Sequence, residues 1–455
     1  MTLSSSTRWA HGALTLLLPF ACGGRSGLSI DAIASGSGGM AALGGKRATG
    51  GAKSSSAGTA GFGLSSGGVS VGTGGNTQGG SGAGAAQSGG APAHSHVTAL
   101  SAGNKFTCAL LSNGAVKCWG SNDFGRLGSP LAASTAAAPV QVQNITTALA
   151  ISSGDQHACA LSADHTIHCW GNNTYGQLGN ATWTSALIPV QVSSITSAIS
   201  VSAGYRHTCA IVSEGSTAYC WGDNSQGQLA GGSTLYSSNV PLKIADIYAG
   251  FSAIGAGRSH TCALPMTTLG QAICWGDNAK LQLGVDASTA VSYSPVSVTG
   301  LSYASTLAVG DQHNCALIAS ASMGSTLKCW GWNYYGQLGI GNTSDTYVAG
   351  NVFGITSARA LTTADHSCAL LTDGSVRCWG FNNSGELGDG TQISRETPVA
   401  VVSLSNATQV TAGPIHTCAL TMDSRVQCWG DNNYGELGNV AASWSSVPVV
   451  VEGFD

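Results

Sequence analysis

The stretch HTCALTMDSRVQCWGDNNYGELG, from His416 to Gly438, decides the fold. Its two cysteines, Cys418 and Cys428, stand ten residues apart, and Trp429-Gly430 follows the second at once. The phrase occurs seven times, with its tryptophan at 119, 170, 221, 275, 330, 379 and 429. A repeat of about 50 residues is the signature of a solenoid or propeller and is read before anything else. Each copy carries four short apolar runs separated by turn residues, as in ALAISSG, ACALS, IHCWG and PVQV. Short strands at that spacing predict an all-β fold, a seven-bladed β-propeller with four-stranded blades over residues 97–455.

Pairing within the phrase sets the register. Placing Cys108 opposite Cys118 leaves Ser112-Asn113-Gly114 as a three-residue loop, with glycine where a left-handed residue is needed. The sixth copy supplies Thr372-Asp373-Gly374 at the same place. Directly opposed cysteines on antiparallel strands can form a disulfide. One bridge per blade is therefore expected: Cys108–Cys118, Cys159–Cys169, Cys209–Cys220, Cys262–Cys274, Cys315–Cys329, Cys368–Cys378 and Cys418–Cys428. The odd spacing of the third pair predicts a β-bulge there. Metal binding is the rival use of seven dithiols, but two thiolates on one hairpin lack further ligands, so no metal is expected.

The same register places a histidine two residues before the first cysteine in six copies: His157, His207, His260, His313, His366 and His416, with Phe106 in the first. Each lies opposite the glycine of Trp-Gly, while the tryptophan points to the other face and packs towards the next blade. One histidine per blade reads as structural rather than as a metal or proton relay.

Composition bounds the function. Residues 1–96 hold five bases and one acid, and the rest hold 12 bases and 20 acids. A mildly acidic domain has no electrostatic footprint for nucleic acid. The fifteenth cysteine, Cys22, ends an apolar run, ALTLLLPFA, too short to span a bilayer. Residues 1–21 read as a signal peptide resembling the bacterial lipoprotein type, with Cys22 as the lipidated residue, although Pro19 stands where such signals prefer leucine. Residues 22–96, rich in Gly, Ser, Ala and Thr, read as a disordered tether. A bacterial protein on the cell envelope, or secreted, is expected.

The phrase SAGYRHTCAI…CWGDNSQGQLA resembles the repeat of the regulator of chromosome condensation family in all seven copies. Departures are local: Thr363 in place of a repeat glycine, Ala230 for the last glycine of GQLG, and Leu281 for the glycine before Gln282. The resemblance implies a seven-bladed propeller but does not select a function, since the family's activities diverge. Nucleotide exchange and chromatin binding fit poorly with a signal sequence and paired cysteines. Photoreception in the family uses Gly-Trp-Arg-His-Thr, and the matching segment here, Gly204 to Thr208, has Tyr205 instead. A secreted bacterial β-lactamase inhibitor with this fold, binding its enzyme through loops on one face, has the best-matched setting.

No HExxH, phosphate loop or Ser/His/Asp order appears in a suitable context, so no catalytic residues and no cofactor are assigned. The expectation is a non-catalytic, monomeric binding module that engages a protein, such as an enzyme it inhibits, or an envelope glycan through one propeller face. The alternatives are an enzyme with a site in the central channel and a structural envelope protein. The candidate contact residues are aromatics at positions that vary within the repeat: Phe124, Tyr175, Trp183, Trp332, Tyr334, Tyr335, Phe381, Tyr434 and Trp444.

Overall fold

The computed structural model describes residues 95–454 apart from 132, 214–215, 233–234, 246–248, 319–324 and 441–442. The signal peptide, Cys22 and the tether up to residue 94 lie outside the described residues. The repeats fold into seven separate four-stranded antiparallel sheets. In blade 1 the strands are β1 (Val97–Ala102), β2 (Phe106–Leu111), β3 (Val116–Ser121) and β4 (Thr135–Gln141), paired in sequence order. Blades 2 to 7 repeat this meander over residues 148–191, 198–243, 251–297, 304–351, 358–400 and 407–450. Every blade is thus one contiguous repeat.

The cysteine hairpins take the register that the turns dictate. Cys108 pairs with Cys118, and Leu111 and Ala115 close the loop through the Leu111 N–H to the Ala115 carbonyl at 2.8 Å. Gly114 and Gly374 both sit at φ +80°, the left-handed region that glycine enters without penalty. All seven cysteine pairs are disulfide-bonded within their own blade. The bulge expected in the third pair is absent: Cys209 stands directly opposite Cys220, and Ile211 opposite Ala218. Opposed residues of a hairpin share a face whatever the loop length, so the extra residue enlarges the turn and leaves the ladder intact.

Two bonds recur between blades, the tryptophan's at all seven junctions and the histidine's at six. Each buried tryptophan donates its indole N–H to a backbone carbonyl of the preceding blade, as from Trp170 to Arg126 (2.9 Å) and from Trp221 to Gln177 (2.9 Å). Its ring packs on that blade's disulfide: Trp170 shares a core with Cys108, Cys118 and Leu127. The tryptophan therefore reaches back, not forward. The histidines reach forward: His157 Nε2 lies 2.8 Å from Thr208 Oγ1, and His207 Nε2 lies 2.9 Å from Thr261 Oγ1. Asn314 fixes the tautomer of its partner. Its amide N–H donates to the Gln282 carbonyl, so its oxygen faces His260 Nε2, which must carry the proton. The opposite nitrogen, Nδ1, is left buried and without a partner in His157, His207, His260, His366 and His416. Burial pushes these imidazoles down to about 3 or 4, so they are neutral structural groups.

One departure in the sequence is relocated. Thr363 does not replace a repeat glycine: it pairs with Ser367 as Ala203 pairs with Thr208. Ala364 takes the glycine position, and the loop between the first two strands of blade 6 is one residue shorter, with Ala364 N–H bonded directly to the His366 carbonyl.

Candidate functional site

In an up-and-down blade, the loops joining first to second and third to fourth strands emerge on one side, here called the upper face. The central channel opens there. Its rim is built from the loops after each first strand, and their backbones bond from blade to blade, as from Asp155 N–H to the Gly204 carbonyl at 3.1 Å. A β-carbon on Gly154 would stand 2.2 Å from that carbonyl, so the rim closes this tightly only because the position is glycine. The cavity left at the channel mouth is about 50 Å³. That is room for a few waters, not an organic substrate. Asp155, Asp311 and Asp365 stand on the rim, and Arg258 lies 3.8 Å from Asp311. Burial holds all three carboxyls above the usual range, and the neighbouring Asp365 raises Asp311 further.

The loop after each third strand has a rigid frame. The repeat asparagine accepts from a leucine N–H five residues on, as Asn333 does from Leu338 at 3.0 Å, and its amide clasps the following loop. Residues around that asparagine are free to differ, and the aromatic candidates occur here. Trp332, Tyr334, Tyr335 and Phe381 form one cluster across blades 5 and 6. Trp332 stacks on Tyr334 (centroids 6.4 Å), and Tyr335 meets Tyr334 and Phe381 edge-on at 4.9 Å each. Tyr334 is 66% exposed, and Trp332, Tyr335 and Phe381 are half-buried.

The remaining candidates are dispersed. Tyr175 sits under the Arg206 guanidinium at 4.7 Å, and Tyr434 under Lys105 at 4.3 Å. Phe124 and Trp183 are each 50% exposed, and Trp444 opens the outer strand of blade 7 opposite Asp431. Sequence reasoning missed Tyr205, Arg206, Arg258 and Lys280. Arg206 and Arg258 both lie over Tyr205, at 5.0 and 4.5 Å, and Lys280 lies 5.9 Å from Trp332. Their signal was present: Tyr205, Arg206 and Arg258 follow rim glycines at positions that vary from blade to blade, and Lys280 stands at the variable aromatic position itself.

Glu386 and Glu436 occupy the position that holds Gln177, Gln228, Gln282 and Gln337 in other blades. Each accepts one backbone N–H, from Ser384 or Tyr434, and leaves Oε1 buried without a partner. Burial raises both carboxyls to about 7. Among the described residues, no group of three or more His, Cys, Asp or Glu side chains is placed to hold a metal ion.

The regulator of chromosome condensation (RCC1) repeat model matches residues 113–161, 164–211, 216–264, 270–317 and 373–420, more than half of the chain. A second model of the same repeat matches 97–126, 149–177, 198–228 and 407–436. Relatives include the bovine secretion-regulating guanine nucleotide exchange factor, 28% identical over 60% of this chain and 64% of its own. The Arabidopsis thaliana ultraviolet-B receptor UVR8 is 29% identical over 62% of this chain and 64% of its own. A probable human E3 ubiquitin-protein ligase, HERC6, is 29% identical over 41% of this chain and 19% of its own. The chain spans less than two thirds of these relatives. Among solved structures, Prp20p from Saccharomyces cerevisiae superposes with a TM-score of 0.64 at 19% identity, covering 79% of this chain and 88% of that one. Human WBSCR16 gives 0.63 at 20%, covering 71% and 87%. At such identities the likeness is one of fold.

Proposed function

The chain belongs to the regulator of chromosome condensation repeat family, and from that premise we propose that it is a non-catalytic binding module. It is displayed on the cell envelope or secreted, and it engages a protein partner through the upper propeller face. The observation that carries this reading is the aromatic cluster of Trp332, Tyr334, Tyr335 and Phe381 on the loop face. The residues shared by all blades are spent on holding blades together, whereas this cluster breaks the repeat and presents ring area at low entropic cost. The likeness to Prp20p lends support, since that protein binds Gsp1p and histones. Seven buried disulfides suit an oxidising compartment.

The test is capture. The full chain immobilised against envelope and secreted fractions retains a partner, and Trp332→Ala with Tyr334→Ala weakens retention about tenfold or more while the melting temperature stays within a few degrees. Equal retention by the double variant overturns the reading. For the anchor, Cys22→Ser is expected to release the protein from membrane fractions.

A further inference from the structure

The upper face uses its aromatics unevenly. Tyr434 carries Lys105, Tyr175 carries Arg206, Tyr205 carries Arg206 and Arg258, and Trp332 carries Lys280. Four aromatic side chains on this face thus hold a cation from the chain itself. Tyr334, the most exposed ring of the cluster, and Phe381, joined to it through Tyr335, hold none among the described residues.

The charge around those two rings is equally one-sided. Asp311 and Asp365 lie on the channel rim, where Arg258 stands 3.8 Å from Asp311, but the outer loops of blades 5 and 6 bear Asp345, Asp389 and Glu396 against a single base, Arg395, which is tied to Asp389 at 2.9 Å. The other bases of these blades belong to the opposite side: Lys328 donates to the Gly300 carbonyl and Arg359 to the Ala407 carbonyl, and Arg377 pairs with Ala400 at the far end of the outer strand. Two of the acids touch the aromatic loop itself. Asp345 accepts from the backbone N–H of Asn333, between Trp332 and Tyr334, at 2.8 Å. Glu396 lies against Gly336, where an added β-carbon would stand 2.5 Å from its Cα, one residue from Tyr335. Both acids are exposed.

Among the described residues Tyr334 and Phe381 hold no cation and Asp345 and Glu396 form no ion pair, and that combination describes one kind of ligand. We propose that this sector of blades 5 and 6 seats a basic segment of the partner polypeptide. A lysine or arginine side chain covers Tyr334 and Phe381, and Asp345 and Glu396 supply the counter-charge. The proposal rests on the binding reading above and adds the chemistry of the partner. A cation over an aromatic face gains most when desolvated, and flanking carboxylates steer its approach.

The probe is a fluorescein-labelled peptide of alternating arginine and glycine, read by anisotropy with the full chain, and its glutamate counterpart. The arginine peptide is expected to bind and the glutamate peptide not to. Raising salt from about 50 to about 200 mM weakens binding severalfold, because flanking charges at a surface are screened. Asp345→Asn with Glu396→Gln, and separately Tyr334→Ala, each weaken it about fivefold or more. The amide at 345 keeps the acceptor for Asn333, so the loop is preserved. Salt-insensitive binding, full affinity in the Asp345→Asn, Glu396→Gln variant, or recognition of neutral saccharide instead of the arginine peptide overturns the proposal. The two readings separate: loss of partner capture in Tyr334→Ala without arginine-peptide binding sinks the basic partner alone. Undiminished capture in that variant sinks the face itself.

Discussion

At residue 106 the repeat's histidine gives way to phenylalanine, and at residue 158 the hydroxyl that would have met it gives way to alanine. The forward bond runs from each histidine to the residue after the next blade's histidine, so Phe106 and Ala158 are the two halves of one missing contact. The chain has replaced both partners together, which costs far less than leaving one buried and unpaired. His207→Phe alone should therefore destabilise by about 1–3 kcal/mol, because it removes the buried bond to Thr261, whose hydroxyl keeps only its bond to the Gln228 carbonyl. Adding Thr261→Ala should cost about 1 kcal/mol less than the two changes summed, in a double-mutant cycle by urea denaturation. The sequence made the structural role of the histidines legible, because it gave their spacing and their one exception. It hid the partner, since register within a blade says nothing of which residue the adjacent blade offers.

Titration at this scale runs in two opposed directions. The histidines have folded values near 3 or 4, below the unfolded 6.5, so the unfolded chain takes up protons first and stability falls as pH drops from about 6.5. Glu386 and Glu436 are raised to about 7, so their contribution is intact below the unfolded value of 4.5 and is lost as pH rises through 7. Glutamine stands at the same position in four blades, so Glu386→Gln with Glu436→Gln should fit without repacking. The expected result is a higher melting temperature than the parent at pH 8, with the difference closing towards pH 4.5. A variant no more stable at pH 8 would show that the two carboxylates are hydrated in place.

At the scale of the strand and hairpin, the turns carried most of the information. Asn113-Gly114 and Asp373-Gly374 fixed loop length, loop length fixed register, and register put the cysteines opposite one another. Mass spectrometry without reduction should find each cysteine bridged within its own repeat. Cys368→Ser with Cys378→Ser should cost about 2–3 kcal/mol, the value for releasing so short a loop in the unfolded chain. Register misled only where parity was applied to a turn, in the third hairpin, and where counting back from His366 ignored a deletion. The outer strands supply a further point of design. Six carry proline, at 139, 189, 241, 295, 398 and 448, which removes a donor from an open edge. Blade 5 has Ala349 instead, and its N–H is bonded to the Thr299 carbonyl at 3.0 Å. An incoming strand therefore finds one fewer free donor on every blade edge, which turns attention back to the loops.

At the scale of the whole ring, closure has to be achieved without sharing a strand, because every sheet is built from one contiguous repeat. The seam between blades 7 and 1 repeats the ordinary contacts, Trp119 to the Glu436 carbonyl at 2.8 Å and His416 to Thr107 at 2.7 Å. It then adds two of its own. The Gln409 side chain bonds the backbone of Leu100 at both ends, accepting at 2.8 Å and donating at 3.0 Å. Beyond the last strand, Phe454 meets Trp119 edge-on at 5.6 Å, with Lys117 bonded to the Gly453 carbonyl. These contacts join residues more than 300 positions apart, so they carry the full entropy of closing the chain. If they hold the ring shut, weakening them should loosen blades 1 and 7 before the others. Phe454→Ala is expected to cost about 1–3 kcal/mol, and with Gln409→Ala to speed amide exchange in blades 1 and 7 while blades 3 to 5 keep parental protection. Uniform acceleration across all blades would mean that the ring opens as one cooperative unit, with no weakest seam.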